Sequence, residues 1–156
     1  QDLRRLGVCV NKTRVDLSLP PVPNEMIRWF ILGLFEGDGW LTYSTRPDGT
    51  VHTGNFGIAL SETLGRQISE HLDKHLCIGP GAMKQIGAVW KLTYASQPVI
   101  CRIMEWLYAT DTGLRMERKH KKWLEMKALH ERAVLNPQAV RKMRKLEPVQ
   151  TPSLSG

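Results

Sequence analysis

Apolar residues recur along this chain with two periods, 3.6 and 2, and the points where one gives way to the other mark the elements it should form. From Asn24 to Glu36 the spacing is helical, and Asn24 is placed to accept from the free amides of the first turn. Two apolar stripes share this helix. Ile27, Phe30, Ile31 and Leu34 make one, and Trp29, Leu32, Gly33 and Gly37 make the other. A helix apolar over most of its circumference is expected to be covered on two sides. After Gly39 the period falls to two: Leu41, Tyr43 and Thr45 alternate with Trp40, Thr42, Ser44 and Arg46, which reads as a strand. Arg46-Pro47-Asp48-Gly49-Thr50 supplies a turn, and Val51 to Leu60 returns as a second strand.

The same alternation repeats downstream. Ser61 is placed to cap a helix with Leu64, Ile68, Leu72 and Leu76 on one face, ended by Gly79-Pro80-Gly81. Ala82 to Gln85 and Ala88 to Ala95 suggest a second hairpin around Ile86-Gly87. Gln97-Pro98 opens a helix with Val99, Ile100, Ile103, Met104 and Leu107 inward. A basic helix from about Met116 to Ala133 follows, and Asn136-Pro137 restarts a shorter one. The expected class is α+β, in the order α-β-β-α-β-β-α, with a four-stranded antiparallel sheet carrying helices on one face. The domain should span 24–135, preceded by a Pro-rich lead-in or linker (1–23) and followed by a basic helix (136–147) and a Pro/Ser-rich disordered tail (148–156).

The other sheet face should be free. Its outward positions are Trp40, Thr42, Ser44, Arg46, Asp48, Thr53, Asn55, Lys84, Lys91 and Thr93. They mix donors and acceptors, unlike the Lys/Glu surface of an ordinary half-exposed sheet, although alternation alone fits that simpler reading equally well.

Charge changes the picture. With a net charge of +7 the chain suits a polyanionic partner, because cations at phosphates release condensed counterions. The positive charge gathers near the C-terminus, at Arg115, Arg118, Lys119, Lys121, Lys122 and Lys127 and again at Arg141, Lys142, Arg144 and Lys145. No window approaches the roughly eighteen apolar residues of a membrane span, and the charged stretch from Gln1 to Asp16 does not resemble a signal peptide. Cys9, Cys77 and Cys101 lack the paired spacing of a zinc site. An intracellular protein with reduced thiols, not secreted and without a membrane partner, is therefore expected. His71 and His75 lie four apart on a helix but lack a third ligand, so a satisfied histidine pair is the simpler reading.

Ile31-Leu32-Gly33-Leu34-Phe35-Glu36-Gly37-Asp38-Gly39 resembles the LAGLIDADG motif, with Glu at its first acid. The likeness extends from about Asn24 to Ala133 as that family's succession of elements, and Asn55 to Ser61 and His75 to Gly79 look like the family at corresponding places. The resemblance is to LAGLIDADG homing endonucleases of the single-motif, homodimeric type.

Gly33 and Gly37 lie on one helical face, where missing side chains let another backbone approach closely. They pack either on the chain's own sheet or on a second chain. With one copy of the motif, the second reading predicts a C2 homodimer with Trp29, Leu32, Gly33, Glu36 and Gly37 at its interface. Asp38 sits at the C-terminal end of the same helix, where exposed carbonyls disfavour a carboxylate. In the dimer two such carboxylates approach each other and call for a cation between them. Asp38-Gly39 would otherwise be a mere helix-ending turn.

The resemblance implies a metal-dependent endonuclease acting on double-stranded DNA. Asp38 and the Gly37 carbonyl would hold a divalent cation, Mg²⁺ first and Mn²⁺ or Ca²⁺ as substitutes. It also implies a basic residue at the scissile phosphate, where Lys119 fits best and Arg118 and Lys121 are alternatives in register. A polar residue that positions water falls at Leu60 or Ser61, so Ser61 is the catalytic candidate. Arg46 would read guanine and Asn55 adenine in the major groove of a roughly palindromic target, with Arg118 and Lys121 among the phosphate contacts. The rival expectation is a noncleaving LAGLIDADG binder, such as an intron RNA maturase or a DNA-binding regulator.

Overall fold

A computed structural model of the chain describes residues 16–47, 49–110, 113 and 115–135. A short 3-10 turn (Asn24–Met26) leads into helix α1 (Ile27–Asp38), followed by strands β1 (Gly39–Thr45) and β2 (Val51–Leu60). Helix α2 (Glu62–Leu76), strands β3 (Ala82–Ile86) and β4 (Val89–Tyr94), and helices α3 (Gln97–Leu107) and α4 (Glu117–Leu135) complete the order. The expected α+β succession is observed. Asn24 makes no side-chain cap, however, and the chain enters α1 from Pro23 through the 3-10 turn. The helix also runs two residues beyond Glu36, because Gly39 N–H closes the last turn onto the Phe35 carbonyl.

The sheet is antiparallel in the order β1-β2-β4-β3. Its register sorts the strands into two faces, since neighbouring side chains alternate. On the inner face Leu41 pairs with Phe56, Phe56 with Tyr94, and Ile58 with Leu92, and all five are buried. Every helix adds to the core on this side: Ile31 and Phe35 from α1, Ile68 and Leu72 from α2, Ile100 and Ile103 from α3, Trp123 and Met126 from α4. Phe35 stacks on Phe56 with ring centroids 5.0 Å apart, fixing α1 across the middle of the sheet. Each such fully buried side chain contributes about 1.5–3 kcal/mol.

The lead-in differs from a linker where it is described. Leu17, Leu19 and Val22 pack against the core. Leu17 N–H donates to Ser61 Oγ at 2.9 Å, Ser61 Oγ donates to the Leu17 carbonyl at 2.6 Å, and Leu19 N–H donates to Gln67 Oε1 at 2.6 Å. Asp16 accepts from Thr63 N–H at 3.0 Å and from the Thr63 hydroxyl at 2.5 Å. Ser61 therefore makes no side-chain cap on α2, and Asp16 serves the first turn from outside the helix. At its other end α2 stops at Leu76, before Gly79-Pro80-Gly81, with Cys77 in the left-handed region (φ 49°). The expected segments 136–147 and 148–156, and residues 1–15, lie outside the described residues.

Candidate nucleic-acid interface and motif helix

The outer sheet face collects most of the residues expected there. Trp40 stands opposite Gly57, Thr42 opposite Asn55 and Ser44 opposite Thr53 across β1 and β2. Lys84 stands opposite Lys91, and Ala82 opposite Thr93, across β3 and β4. Side chains on this face organise one another. The Ser44 and Thr53 hydroxyls are 2.7 Å apart, and Trp40 Nε1 donates to Asn55 Oδ1 at 2.8 Å. The Trp40 ring lies over Gly57, where a Cβ would fall 2.2 Å from its Cζ2 atom, and Lys91 Nζ is 5.4 Å from the ring centroid. Arg46 anchors the hairpin turn through its backbone, donating to Thr50 and accepting from Gly49. Asp48 lies outside the described residues.

Asn55 is engaged within the sheet. Reading adenine with both amide groups needs the oxygen and the NH₂ turned to the base edge together, whereas the indole N–H turns the oxygen towards Trp40 and engages one of its two lone pairs.

The motif helix ends at one edge of this sheet, because β1 begins at Gly39 directly after Asp38. Asp38 and Gly37 are exposed. Lys119, expected at a phosphate, is instead 4% exposed, and its Nζ donates to the Phe35 carbonyl at 2.5 Å and the Glu36 carbonyl at 2.8 Å. Burial pushes the Lys119 pKa down, the Glu36 carboxylate pushes it up, Arg118 adds to the lowering, and Asp38 opposes it. The ammonium thus supplies positive charge at the negative end of the α1 dipole. Arg118 and Lys121, on the same turn of α4, are exposed.

Glu36 is half-buried and engaged within the chain. Its carboxylate accepts from the Tyr108 hydroxyl and from Met116 N–H at 2.9 Å, just ahead of α4. Burial first, and the Glu36 hydrogen bond second, push the Tyr108 phenol far above its ordinary range. Nothing in the sequence flagged Tyr108, because its partner lies 72 positions away.

Of the residues expected at a helix-to-helix interface, Gly33 and Gly37 are exposed, and a Cβ at either would meet nothing within 4 Å among the described residues. Leu32 is buried within the chain at 4% exposure, and Trp29 is half-buried with the Arg28 guanidinium 4.2 Å from its ring centroid. Trp29, Leu32, Gly33 and Glu36, together with Gly113, Arg115 and Met116, line an open depression of about 480 Å³. The glycine stripe does not pack on the sheet.

Compared with solved structures, the chain superposes on the group I intron-encoded homing endonuclease I-CeuI, complexed with DNA, with a TM-score of 0.56 and 20% identity over 83% of this chain and 64% of that one. It superposes on the archaeal intron-encoded homing endonuclease I-Vdi141I, also complexed with DNA, at 0.50 and 14% identity, covering 85% of this chain and 91% of that one. The LAGLIDADG meganuclease I-AabMI, bound to uncleaved DNA, matches at 0.50 and 17% identity over 76% of this chain. The fold is that of the LAGLIDADG homing endonucleases. No family model and no curated protein matches the sequence. The chain spans only 42% and 41% of the lengths of I-AabMI and I-SmaMI.

Within the LAGLIDADG fold, the water-positioning role expected at Leu60 or Ser61 meets an obstacle at both. Leu60 faces inward opposite Trp90, and it packs against the core. Ser61 spends its hydroxyl on both backbone groups of Leu17. His71 and His75, both on α2, lie with ring centroids 4.2 Å apart and tilted, and each is 6.2 Å from the Trp106 ring of α3, on which His75 stacks. Among the described residues no helix is long and apolar enough to cross a membrane, and no group of three His, Cys, Asp or Glu side chains is placed to hold a metal.

Proposed function

We propose that this chain is one subunit of a homodimeric, site-specific endonuclease that hydrolyses double-stranded DNA with a divalent cation. The observation that carries the reading is the glycine stripe of α1. Gly33 and Gly37 are open to a second helix, and the stripe ends on exposed Asp38 at the margin of a polar sheet face. Two copies joined along the stripe would bring two Asp38 carboxylates together between two DNA-binding sheets.

The oxygens available suit a hard cation. Asp38 and the Gly37 carbonyl would hold Mg²⁺, or Mn²⁺ or Ca²⁺ in its place, with the second chain and DNA phosphates completing the set. The cation would supply an activated water and charge neutralisation at the phosphate. The chain's own residues do the rest. Lys119 holds the carbonyls of the α1 terminus, so that Gly37 and Asp38 project from a fixed helix end. Arg118 and Lys121 bind phosphate, and Trp40, Thr42, Ser44, Arg46, Thr53, Lys84, Lys91 and Thr93 face the major groove. The domain unit is 24–135 together with the docked residues 16–23, and the site of action is intracellular.

One observation favours a second reading, a LAGLIDADG binder of RNA or DNA that does not cut: Leu60 is half-buried and packs inward against the core, and the Ser61 hydroxyl is occupied. Incubation with a randomised DNA pool and Mg²⁺, comparing the wild type with Asp38→Asn, separates the two. Cutting by the wild type alone supports the endonuclease. Binding without cutting by either supports the binder, and equal cutting by both sinks the mechanism.

A further inference from the structure

The outer sheet face holds one side-chain pair whose chemistry sets its own reading direction. Trp40 Nε1 lies 2.8 Å from Asn55 Oδ1. An indole N–H donates and cannot accept, so the amide must turn its oxygen towards it. The Asn55 NH₂ is then directed away from the indole, and among the described residues nothing accepts from it. Trp40 is itself held. Its ring occupies the space that a side chain at position 57 would fill, and Lys91 lies 5.4 Å from the ring centroid. With Gly57 opposite Trp40 and Asn55 opposite Thr42, the pair spans a diagonal of the outward face between the edge strand β1 and its neighbour β2.

We propose that Trp40 is a specificity-positioning residue, which locks Asn55 as a hydrogen-bond donor towards the base edge of bound DNA. This deepens the DNA-binding reading and rests on it. An unconstrained asparagine pairs with adenine, accepting from N6–H and donating to N7. Asn55, with its oxygen turned to the indole and one of that oxygen's two lone pairs engaged there, presents its NH₂ foremost. It favours the base whose own major-groove edge offers acceptors and no amino group, which is guanine (O6 and N7) or thymine (O4). Adenine loses its advantage because its N6 amino group would face the Asn55 NH₂, donor against donor. Trp40 acts through Asn55 and need not touch a base.

Selection of bound sites from a randomised double-stranded DNA pool tests this with three full-length proteins. The wild type should select guanine or thymine at one position in each half-site. Trp40→Phe keeps an aromatic ring over Gly57 but removes the N–H, and should shift that position towards adenine by about tenfold while leaving the others unchanged. Asn55→Asp presents an acceptor in place of the donor and should move the same position towards cytosine, whose N4 amino group donates. Base preference at a single position is a readout that simple loss of packing would not redirect. A wild-type profile with adenine at the position altered in Asn55→Asp overturns the inference. So does a Trp40→Phe profile that matches the wild type. Failure of the wild type to enrich any sequence overturns the DNA-binding reading itself, and the inference with it.

Discussion

The Lys119 ammonium donates to the Glu36 main-chain carbonyl at 2.8 Å, while the Glu36 carboxylate accepts from Met116 N–H at 2.9 Å, so Glu36 is pinned by α4 at its backbone and by the residue just ahead of α4 at its side chain. A buried cation here satisfies a carbonyl that the helix leaves without an intrahelical donor. Lys119→Met should remove a charge-assisted hydrogen bond and leave that carbonyl unpaired, costing about 2 kcal/mol in urea unfolding. In cutting assays kcat should fall with little change in KM, because the helix end is disturbed and phosphate contacts are not. Arg118→Ala and Lys121→Ala should do the reverse, weakening DNA binding and reducing its salt slope by about one each. A Lys119→Met protein as stable as the wild type would remove the capping role.

The glycine stripe predicts opposite effects on the subunit and on the assembly. A Cβ at Gly33 or Gly37 meets nothing within 4 Å among the described residues, and alanine favours helix over glycine by about 1 kcal/mol. Gly33→Ala should therefore fold at least as stably as the wild type. Gly33→Leu and Gly37→Leu should sediment as folded monomers where the wild type sediments as a dimer. A wild-type monomer at micromolar concentration contradicts the proposed assembly.

Periodicity made the fold legible because one sheet face and the helix stripes facing it are apolar at nearly every position, from Leu41, Phe56 and Ile58 to Ile100 and Ile103. The outward row of Trp40, Thr42 and Ser44 followed from the same alternation. What periodicity could not carry was the partner of each polar group. Asn55 read as an adenine contact because its type is right, yet the diagonal hydrogen bond from Trp40 depends on the register between β1 and β2. Lys119 was expected at a phosphate because the resemblance implies a basic residue there, yet only tertiary packing turns it inward, onto a helix end 83 positions away. The partner of Ser61 was hidden for a related reason. A residue expected to lie in a linker, Leu17, folds back and takes its hydroxyl.

The cysteines offer a test of the packing around α3. Cys77 is exposed, whereas Cys101 is buried, with burial and the nearby Glu105 carboxylate pushing its thiol up to about 11. Since the thiolate is the reactive form, Cys101 should resist alkylation at neutral pH. In a Cys9→Ser background, one equivalent of a thiol reagent should be taken up rapidly at Cys77. The second should follow only on unfolding. Two rapid equivalents from the native protein would contradict the packing of α3 against α4.

Asp16 predicts how the lead-in responds to acid. The hydroxyl of Thr63 and then its backbone N–H hold the Asp16 carboxyl below its ordinary value of 3.8. A carboxylate whose folded pKa is depressed contributes stability above its unfolded value, and loses it as pH falls through the folded one. Docking of residues 16–23 onto α2 should thus be intact near neutrality and weaken below pH 3.8. Hydrogen exchange at the amides of Leu17, Leu19 and Thr63 reports it directly, because those amides donate to Ser61, Gln67 and Asp16. In the wild type their protection relative to the core strands should drop as the pH is lowered through that range. Asp16→Asn keeps an acceptor but cannot titrate, so its relative protection should start lower and stay flat. Identical acid profiles in the two proteins would show that some other group holds the segment in place.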